Sequence, residues 1–373
     1  MYGEMEVLFR LGPLSVTPYS LMMGLAFLLA LAVTFLTARR VFSAERIVTM
    51  VCLGTVAAIL GGHLVYSLAF FPALEVDYGG YSFIARLHEG GSTLFGAVFF
   101  VMLACYLLAK HWHVRTADLM DAAAPGAAVA ICVGRIAEYF NGQGLGQAVE
   151  DAAFQRFPFA VCTYMDEEWS EWYLAVFVFE AAAALILFAA LLLLRRRTLR
   201  PGFLSGFFLS AFCASQIFLE QLRADDCIRF GFVRLTQICG LVVLVALLSA
   251  RIVQRVRTKG WTWEETVLVV RFLAATFCVV FTEFAFEKPQ YYPYLSACIV
   301  LLALSIACPE IIRARKGHAA LHIGGAAISI ILGGAMLYIL TLGLENEWDY
   351  LYALMAACVS VMAFDACPRN KQE

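Results

Sequence analysis

Charged residues are scarce in this 373-residue chain. They make up 15% of the sequence, whereas 62% is hydrophobic and the mean hydropathy is +0.79. Soluble globular proteins are about 25% charged and about 45–50% apolar, so a soluble protein and a disordered chain are both excluded. A formal net charge of −2 leaves no basic excess for a phosphate backbone, so we expect no nucleic-acid partner. The composition predicts an all-α polytopic membrane protein surrounded by lipid.

Several informative motifs are also missing. The first ten residues lack the basic region of a cleaved signal peptide. Most of the 12 cysteines lie in apolar runs without CxxC spacing, and no Walker loop or HExxH motif occurs. We therefore expect no metal and no cofactor. Cys162 and Cys227 lie in two predicted outside loops, where a disulfide is permitted but not required.

Apolar runs long enough to cross a bilayer define the architecture. A spanning helix needs about 20 mostly apolar residues. About eleven transmembrane helices are predicted, near 15–37, 47–71, 91–109, 119–139, 172–194, 203–222, 235–253, 265–286, 292–312, 318–343 and 350–366.

The distribution of basic residues predicts the orientation. Most of the 27 Lys and Arg residues follow the odd-numbered helices, as in the clusters at 195–200 and 251–259. Cytoplasmic loops retain positive charge, so the N-terminus is predicted outside and the C-terminus inside. A bacterial plasma membrane is the expected location.

Two parts of the chain differ in character. Polar residues within helices and long outside loops are frequent before a basic, aromatic connector at 256–264 and sparse after it. We predict a seven-helix domain over 1–255 that carries the chemistry and a four-helix extension over 265–373 of unknown role. In the extension, Glu283 is the most conspicuous intramembrane charge; Arg271 is its candidate partner, unless both side chains snorkel.

The richest polar cluster follows the fourth predicted helix. Residues 134–146 read Gly-Arg-Ile-Ala-Glu-Tyr-Phe-Asn-Gly-Gln-Gly-Leu-Gly. Arg135 and Glu138 are three residues apart and share a helix face. Arginine beside a glycine-rich loop suits a lipid phosphate, because its guanidinium group matches phosphate oxygens. The alternative is a self-neutralising ion pair that closes the helix end.

A second cluster ends the sixth predicted helix. Gln216 and Glu220 are four residues apart on one face, and the charged residues Arg223, Asp225 and Asp226 follow. For these last three, a solvated helix end is the simpler interpretation. Three further polar residues have structural interpretations: Asp121 as a cap of the fourth helix, Tyr19 as an interfacial residue, and His63 as a packed rather than catalytic histidine.

At these residues the chain resembles the prolipoprotein diacylglyceryl transferase family, whose signature is similar to Gly-Arg-x-x-Asn-Phe-x-Asn-Gly-Glu-x-x-Gly. Gly134, Arg135, Asn141, Gly142 and Gly146 match it. Matches in family order extend over about residues 10–255: Gly12-Pro13 with Tyr19, Gly61-Gly62 with Tyr66, Gly90-Gly91 with Gly96, Asp121 to Pro125, Phe157 to Ala160, Glu220 with Arg223, and Gln237.

The resemblance implies transfer of a diacylglyceryl group from phosphatidylglycerol to the lipobox cysteine in prolipoprotein signal peptides. It also implies seven helices with an outside N-terminus. Substrate binding would fall to Arg135, Asn141, Gly142, Gln143 and Gln216, with Arg135 on the phosphate. Catalysis would fall to Glu220 and Tyr19 and, at a position where the chain departs from the family pattern, to Glu138.

Some residues depart from the family pattern. The family His is Phe95, its second Arg is Gln216, its first signature Asn is Glu138, its signature Glu is Gln143, and its second-helix Arg is His63. Glu138, His63 or His88 would then be the base that deprotonates the thiol. Two alternatives stay open: a non-catalytic relative that binds phospholipid head groups or lipoprotein precursors, and a transporter.

Overall fold

The computed structural model describes residues 7–11, 14–71, 91–164, 170–196, 199–224, 229–314 and 347–368, with scattered positions between 327 and 338. The predictions for Gly12-Pro13, Gly90, His88, Asp225, Asp226 and Cys227, and most of the predicted helix at 318–343, lie outside these residues.

Long apolar helices dominate the described chain. They are α1 (Pro18–Ala38), α2 (Ala44–Ala69), α3 (Leu94–His111), α4 (Thr116–Glu138), α5 (Val176–Leu194), α6 (Phe203–Leu219), α7 (Leu235–Lys259), α8 (Trp263–Glu287), α9 (Tyr292–Ala314) and α10 (Glu347–Ala366). Over the described ranges, all but α9 are long and apolar enough to cross a membrane, and α9 holds a shorter apolar stretch, Tyr292–Cys308. The all-helical, multi-pass prediction is confirmed, and ten of the predicted runs coincide with these helices.

Short antiparallel hairpins lie before α1 and between some of the later helices. They pair β1 (Phe9–Leu11) with β2 (Leu14–Val16), β3 (Ala160–Tyr164) with β4 (Ser170–Leu174), and β5 (Arg229–Phe230) with β6 (Val233–Arg234). The fifth helix was predicted from residue 172, but β4 occupies that position with Trp172 opposite Cys162. Hydropathy alone does not separate an apolar strand from the start of an apolar helix.

By residue contacts the chain divides into two compact units. The first contains the described residues of Met1–Phe212, Leu219–Ile228 and Pro368–Glu373, and the second those of Cys213–Phe218 and Arg229–Cys367. In the first, α1 packs on α4, α2 on α3, and α4 on α5. Small residues permit the α2–α3 contact: a Cβ at Gly96 would lie 2.8 Å from the Gly61 carbonyl oxygen.

Asp121 joins two helices of the first unit. It lies in α4, and its Oδ2 accepts a hydrogen bond from the Gly202 amide at 2.7 Å. Its Oδ1 accepts from the amide and hydroxyl of Ser205 at 2.8 and 2.7 Å. The prediction that Asp121 caps its own helix is therefore wrong: it caps the amino end of α6, where the first amides lack intrahelical partners. Sequence could not identify donors at Gly202 and Ser205, which lie 81 and 84 residues further along the chain.

In the second unit, α8 packs against α9 and α10. Arg271 pairs with the fully buried carboxylate of Asp365, including an Nε–Oδ2 contact of 2.7 Å. Glu283 instead accepts a hydrogen bond from Gln237 Nε2 at 2.5 Å. The expected partnership of Arg271 with Glu283 is thus wrong, and neither charge snorkels, because each finds a polar partner on another helix.

We expect Asp121→Ala to lower the free energy of unfolding by about 1–2 kcal/mol, because it removes the acceptor for three donors at the start of α6. Denaturation of the detergent-solubilised protein would measure the change. Asp118→Asn is the control, since Asp118 pairs with an Arg115 side chain that is 72% exposed, and little change is expected. Equal effects of the two substitutions would contradict the capping role.

Candidate functional site

The glycine-rich signature forms a compact loop after α4. The helix ends at Glu138, a short 3-10 turn covers Tyr139–Asn141, and Gly142 and Gly144 adopt positive φ angles of 66° and 77°. Glycine is favoured at both because a side chain is strained in that region. The loop thereby returns toward the start of α5, where the Phe177 amide donates to the Gly144 carbonyl at 2.9 Å.

Backbone hydrogen bonds tie this loop to its surroundings. The Gly142 and Gln143 amides donate to the Tyr139 and Glu138 carbonyls, and the Gly146 amide donates to Leu174 at 2.7 Å. These three amides are therefore engaged by the protein's own carbonyls. What the glycines supply here is close packing between the loop, β4 and the segment at Arg223, with which Gly146 forms a bridge.

Four charged side chains meet beside the loop. Arg135 Nη1 lies 2.5 Å from Glu138 Oε1, and its Nη2 lies 3.2 Å from Glu180 Oε1. Arg223 Nη1 lies 2.9 Å from Glu180 Oε2 and 3.3 Å from Glu138 Oε2. Each arginine thus contacts both carboxylates, and we call this arrangement the Arg–Glu quartet. Charges removed from water need such compensation.

The quartet confirms the contact between Arg135 and Glu138 that their spacing predicts. The interpretation of Arg223 as a solvated helix end is wrong: only 12% of its side chain is exposed, and both of its carboxylate partners come from other segments. A helix-end pattern in sequence cannot reveal a partner on a distant helix.

Glu180 is the site residue that sequence reasoning missed. Its side chain is completely buried in α5, a helix with no other charged residue. That isolation was the available signal, because an ionisable residue within a spanning segment is a functional candidate by default. Its two arginine partners explain how α5 tolerates the charge.

The other predicted catalytic residues lie in the first unit. Glu220 is buried in the turn Glu220–Leu222 after α6 and lies within electrostatic range of Glu180. Tyr19 is half-buried in the first turn of α1 and lies within electrostatic range of Glu138. Thr17 caps that turn by accepting from the Ser20 amide at 3.2 Å. The first unit therefore brings all three predicted catalytic residues near the quartet.

The predicted head-group residues fall into different surroundings. Asn141 Oδ1 is buried and has no hydrogen-bond partner among the described residues, while Gln143 is exposed. Gln216 is buried in Cys213–Phe218, which belongs to the second unit. Asn141 is thus a buried acceptor in need of a donor, which marks it as a candidate ligand contact.

His63 and Phe95 are engaged by local packing. The His63 ring nitrogens lie 3.2 Å from the Gly91 carbonyl oxygen and 3.4 Å from the Ser67 hydroxyl, which favours the packed histidine of the sequence analysis. The Phe95 ring lies 5.7 Å from that of Phe212, a buried residue of α6. The Phe95 side chain carries no basic group.

We expect Gly146→Ala to destabilise the protein by about 2 kcal/mol, because the added Cβ would lie 2.5 Å from the Leu222 carbonyl oxygen and 2.9 Å from Leu174 Cβ. Gly134→Ala is the matched control within the same signature. Its Cβ would meet only Met23 Sδ at 3.9 Å, and alanine favours a helix by up to about 1 kcal/mol. Unfolding in detergent should give opposite signs for the two variants; equal signs would refute the packing role of Gly146.

Comparison with known proteins agrees with the resemblance. The family model described as prolipoprotein diacylglyceryl transferase matches residues 6–253. A Streptococcus pneumoniae serotype 4 protein named phosphatidylglycerol–prolipoprotein diacylglyceryl transferase is 28% identical over 238 residues, which cover 63% of this chain and 88% of that protein. A protein of the same name from another Streptococcus pneumoniae strain is 27% identical with the same coverage. The α8–α10 helices lie beyond the family match.

Proposed function

Because the chain belongs to the prolipoprotein diacylglyceryl transferase family, we propose that it transfers a diacylglyceryl group from phosphatidylglycerol to the lipobox cysteine of prolipoproteins. The observation that carries the proposal is the Arg–Glu quartet, which holds Arg135 almost fully buried, with 8% of its side chain exposed, at the end of a spanning helix. A bacterial plasma membrane with the N-terminus outside is the proposed setting, in keeping with bacterial relatives.

The proposed reaction is a displacement at the carbon of the diacylglyceryl group that is bonded to the phosphate oxygen. The cysteine thiol loses its proton to a base, and the thiolate attacks that carbon. A carbon–sulfur bond forms, the carbon–oxygen bond to phosphate breaks, and glycerol phosphate leaves. Arg135 binds the phosphate, since the planar guanidinium group with its N–H donors matches phosphate oxygens.

A carboxylate is the proposed base. Glu138 is the most exposed member of the quartet, at 20% of its side chain, so a thiol reaches it more readily than the fully buried Glu180. Glu220 is the alternative. Tyr19 would orient the reacting group, and Asn141, Gly142 and Gln143 would hold the head group. A base contributes about 10²–10⁴-fold to such a rate.

A second function also has specific support. Phe95 packs on Phe212, where the resemblance places a histidine, and Glu138 already contacts Arg135 at 2.5 Å. A relative that binds phospholipid or lipoprotein precursors without transfer would be consistent with both observations.

The decisive measurement is turnover by the purified protein with phosphatidylglycerol and a lipobox peptide, followed by peptide mass and glycerol-phosphate release. We expect modified peptide from the wild type and a loss of about 10- to 100-fold in Arg135→Ala, because a charge-assisted hydrogen bond to phosphate is removed. Arg115→Ala, at an exposed side chain, should retain activity. Unmodified peptide, with lipid still bound, would instead establish the binding function.

Phe95→His should raise the rate of transfer by about 10²-fold, if an imidazole at this position serves as the base. The same turnover assay measures the change. Phe95→Leu is the control, because it removes the aromatic contact with Phe212 without adding a base. A gain of similar size in both variants would indicate a packing effect and exclude a missing base at position 95.

A further inference from the structure

The charges around Arg135 do not favour an anion alone. The quartet contributes two positive and two negative side chains, and Glu220 adds a carboxylate within electrostatic range of Glu180. These five side chains therefore carry two formal positive charges and three negative ones. A net anionic head group such as that of phosphatidylglycerol can pair with the arginines but finds no excess of positive charge here.

The exposed fractions of the quartet side chains also favour a ligand that carries a positive group. Within the quartet, Glu138 is 20% exposed, Arg223 12%, Arg135 8% and Glu180 not at all. A molecule that approaches the quartet therefore meets a carboxylate more readily than a guanidinium group. Since Glu138 Oε1 and Arg135 Nη1 are 2.5 Å apart, the surface offered is a negative group with a positive group directly beside it.

We propose that Glu138 binds the ammonium group of a zwitterionic phospholipid while Arg135 contacts its phosphate, so that phosphatidylethanolamine is a ligand of this site besides phosphatidylglycerol. The inference rests on the proposed function, because it takes the quartet as a phospholipid head-group site. An ammonium and a phosphate joined by two carbons complement an adjacent carboxylate and guanidinium group, and both pairs are charge-assisted. Phosphatidylglycerol satisfies the arginine but leaves Glu138 facing hydroxyl groups.

Asn141 supports a ligand rich in donors. It ends the 3-10 turn that follows Glu138 directly, and its buried Oδ1 has no partner among the residues that the structure describes. A buried acceptor without a donor costs about 1–3 kcal/mol, so a ligand that supplies an N–H there gains affinity. An ammonium group carries three such donors.

The test compares two lipids of identical short acyl chains bound to the full-length, delipidated protein in detergent, with dissociation constants from native mass spectrometry. We expect phosphatidylethanolamine to bind the wild type at least as tightly as phosphatidylglycerol. Glu138→Gln should weaken phosphatidylethanolamine about tenfold and leave phosphatidylglycerol unchanged or tighter, because only the ammonium loses a charged partner. Glu171→Gln, in the β4 strand where Glu171 accepts from Tyr173, should change neither constant.

Three results would overturn the proposal: tenfold tighter binding of phosphatidylglycerol by the wild type, an equal effect of Glu138→Gln on both lipids, or no binding of either. If Glu138→Gln fails to fold, the wild-type comparison decides by itself. Turnover is measured separately with each lipid. If neither lipid supports transfer but the two lipids bind with the expected preference, the transferase proposal is rejected and this inference stands.

Discussion

Burying an arginine at the end of a spanning helix is the constraint on which the first unit depends. Arg135 is removed from water, and an uncompensated charge there would cost several kcal/mol. The compensation comes from Glu138 on the same helix and Glu180 on α5, and Glu180 in turn is shared with Arg223 after α6. One desolvated charge thus fixes the relative placement of three chain segments, whichever ligand the site binds.

The glycine-rich loop also helps to bring the charge partners of Arg135 together. It must turn back sharply after Glu138 so that Gly144 reaches the start of α5, where Glu180 lies one turn further along. A Cβ at Gly144 would lie 3.1 Å from Glu138 Oε2 and 2.8 Å from Phe177 Cβ. The glycines of the signature are therefore explained first by close backbone packing around the Arg–Glu quartet. Asn141, the proposed ligand contact, ends the 3-10 turn of this loop and is placed by the same packing.

The sequence predicted what depends on local pattern and left out what depends on distant partners. Long apolar runs gave the helices, since crossing a bilayer imposes a length that composition reveals. The three-residue spacing of Arg135 and Glu138 gave their contact. Asp121 was misassigned because its acceptor role is completed by Ser205, far along the chain. Glu180 was overlooked inside an apolar run, although its isolation was visible.

The same logic explains why the extension does not stand apart from the family-matched chain. Gln237, within that match, donates to Glu283 of α8 at 2.5 Å and to the Ile217 carbonyl at 3.2 Å. Arg251, also matched, donates to the Asp365 carbonyl of α10. Polar groups within a membrane lack water as a hydrogen-bond partner and must therefore pair with other polar groups of the protein. For the polar groups of α7 named above, these partners lie on the extension. Removal of the extension would therefore leave Gln237 and Arg251 without these partners, in keeping with the grouping of α7 and α8–α10 in one compact unit.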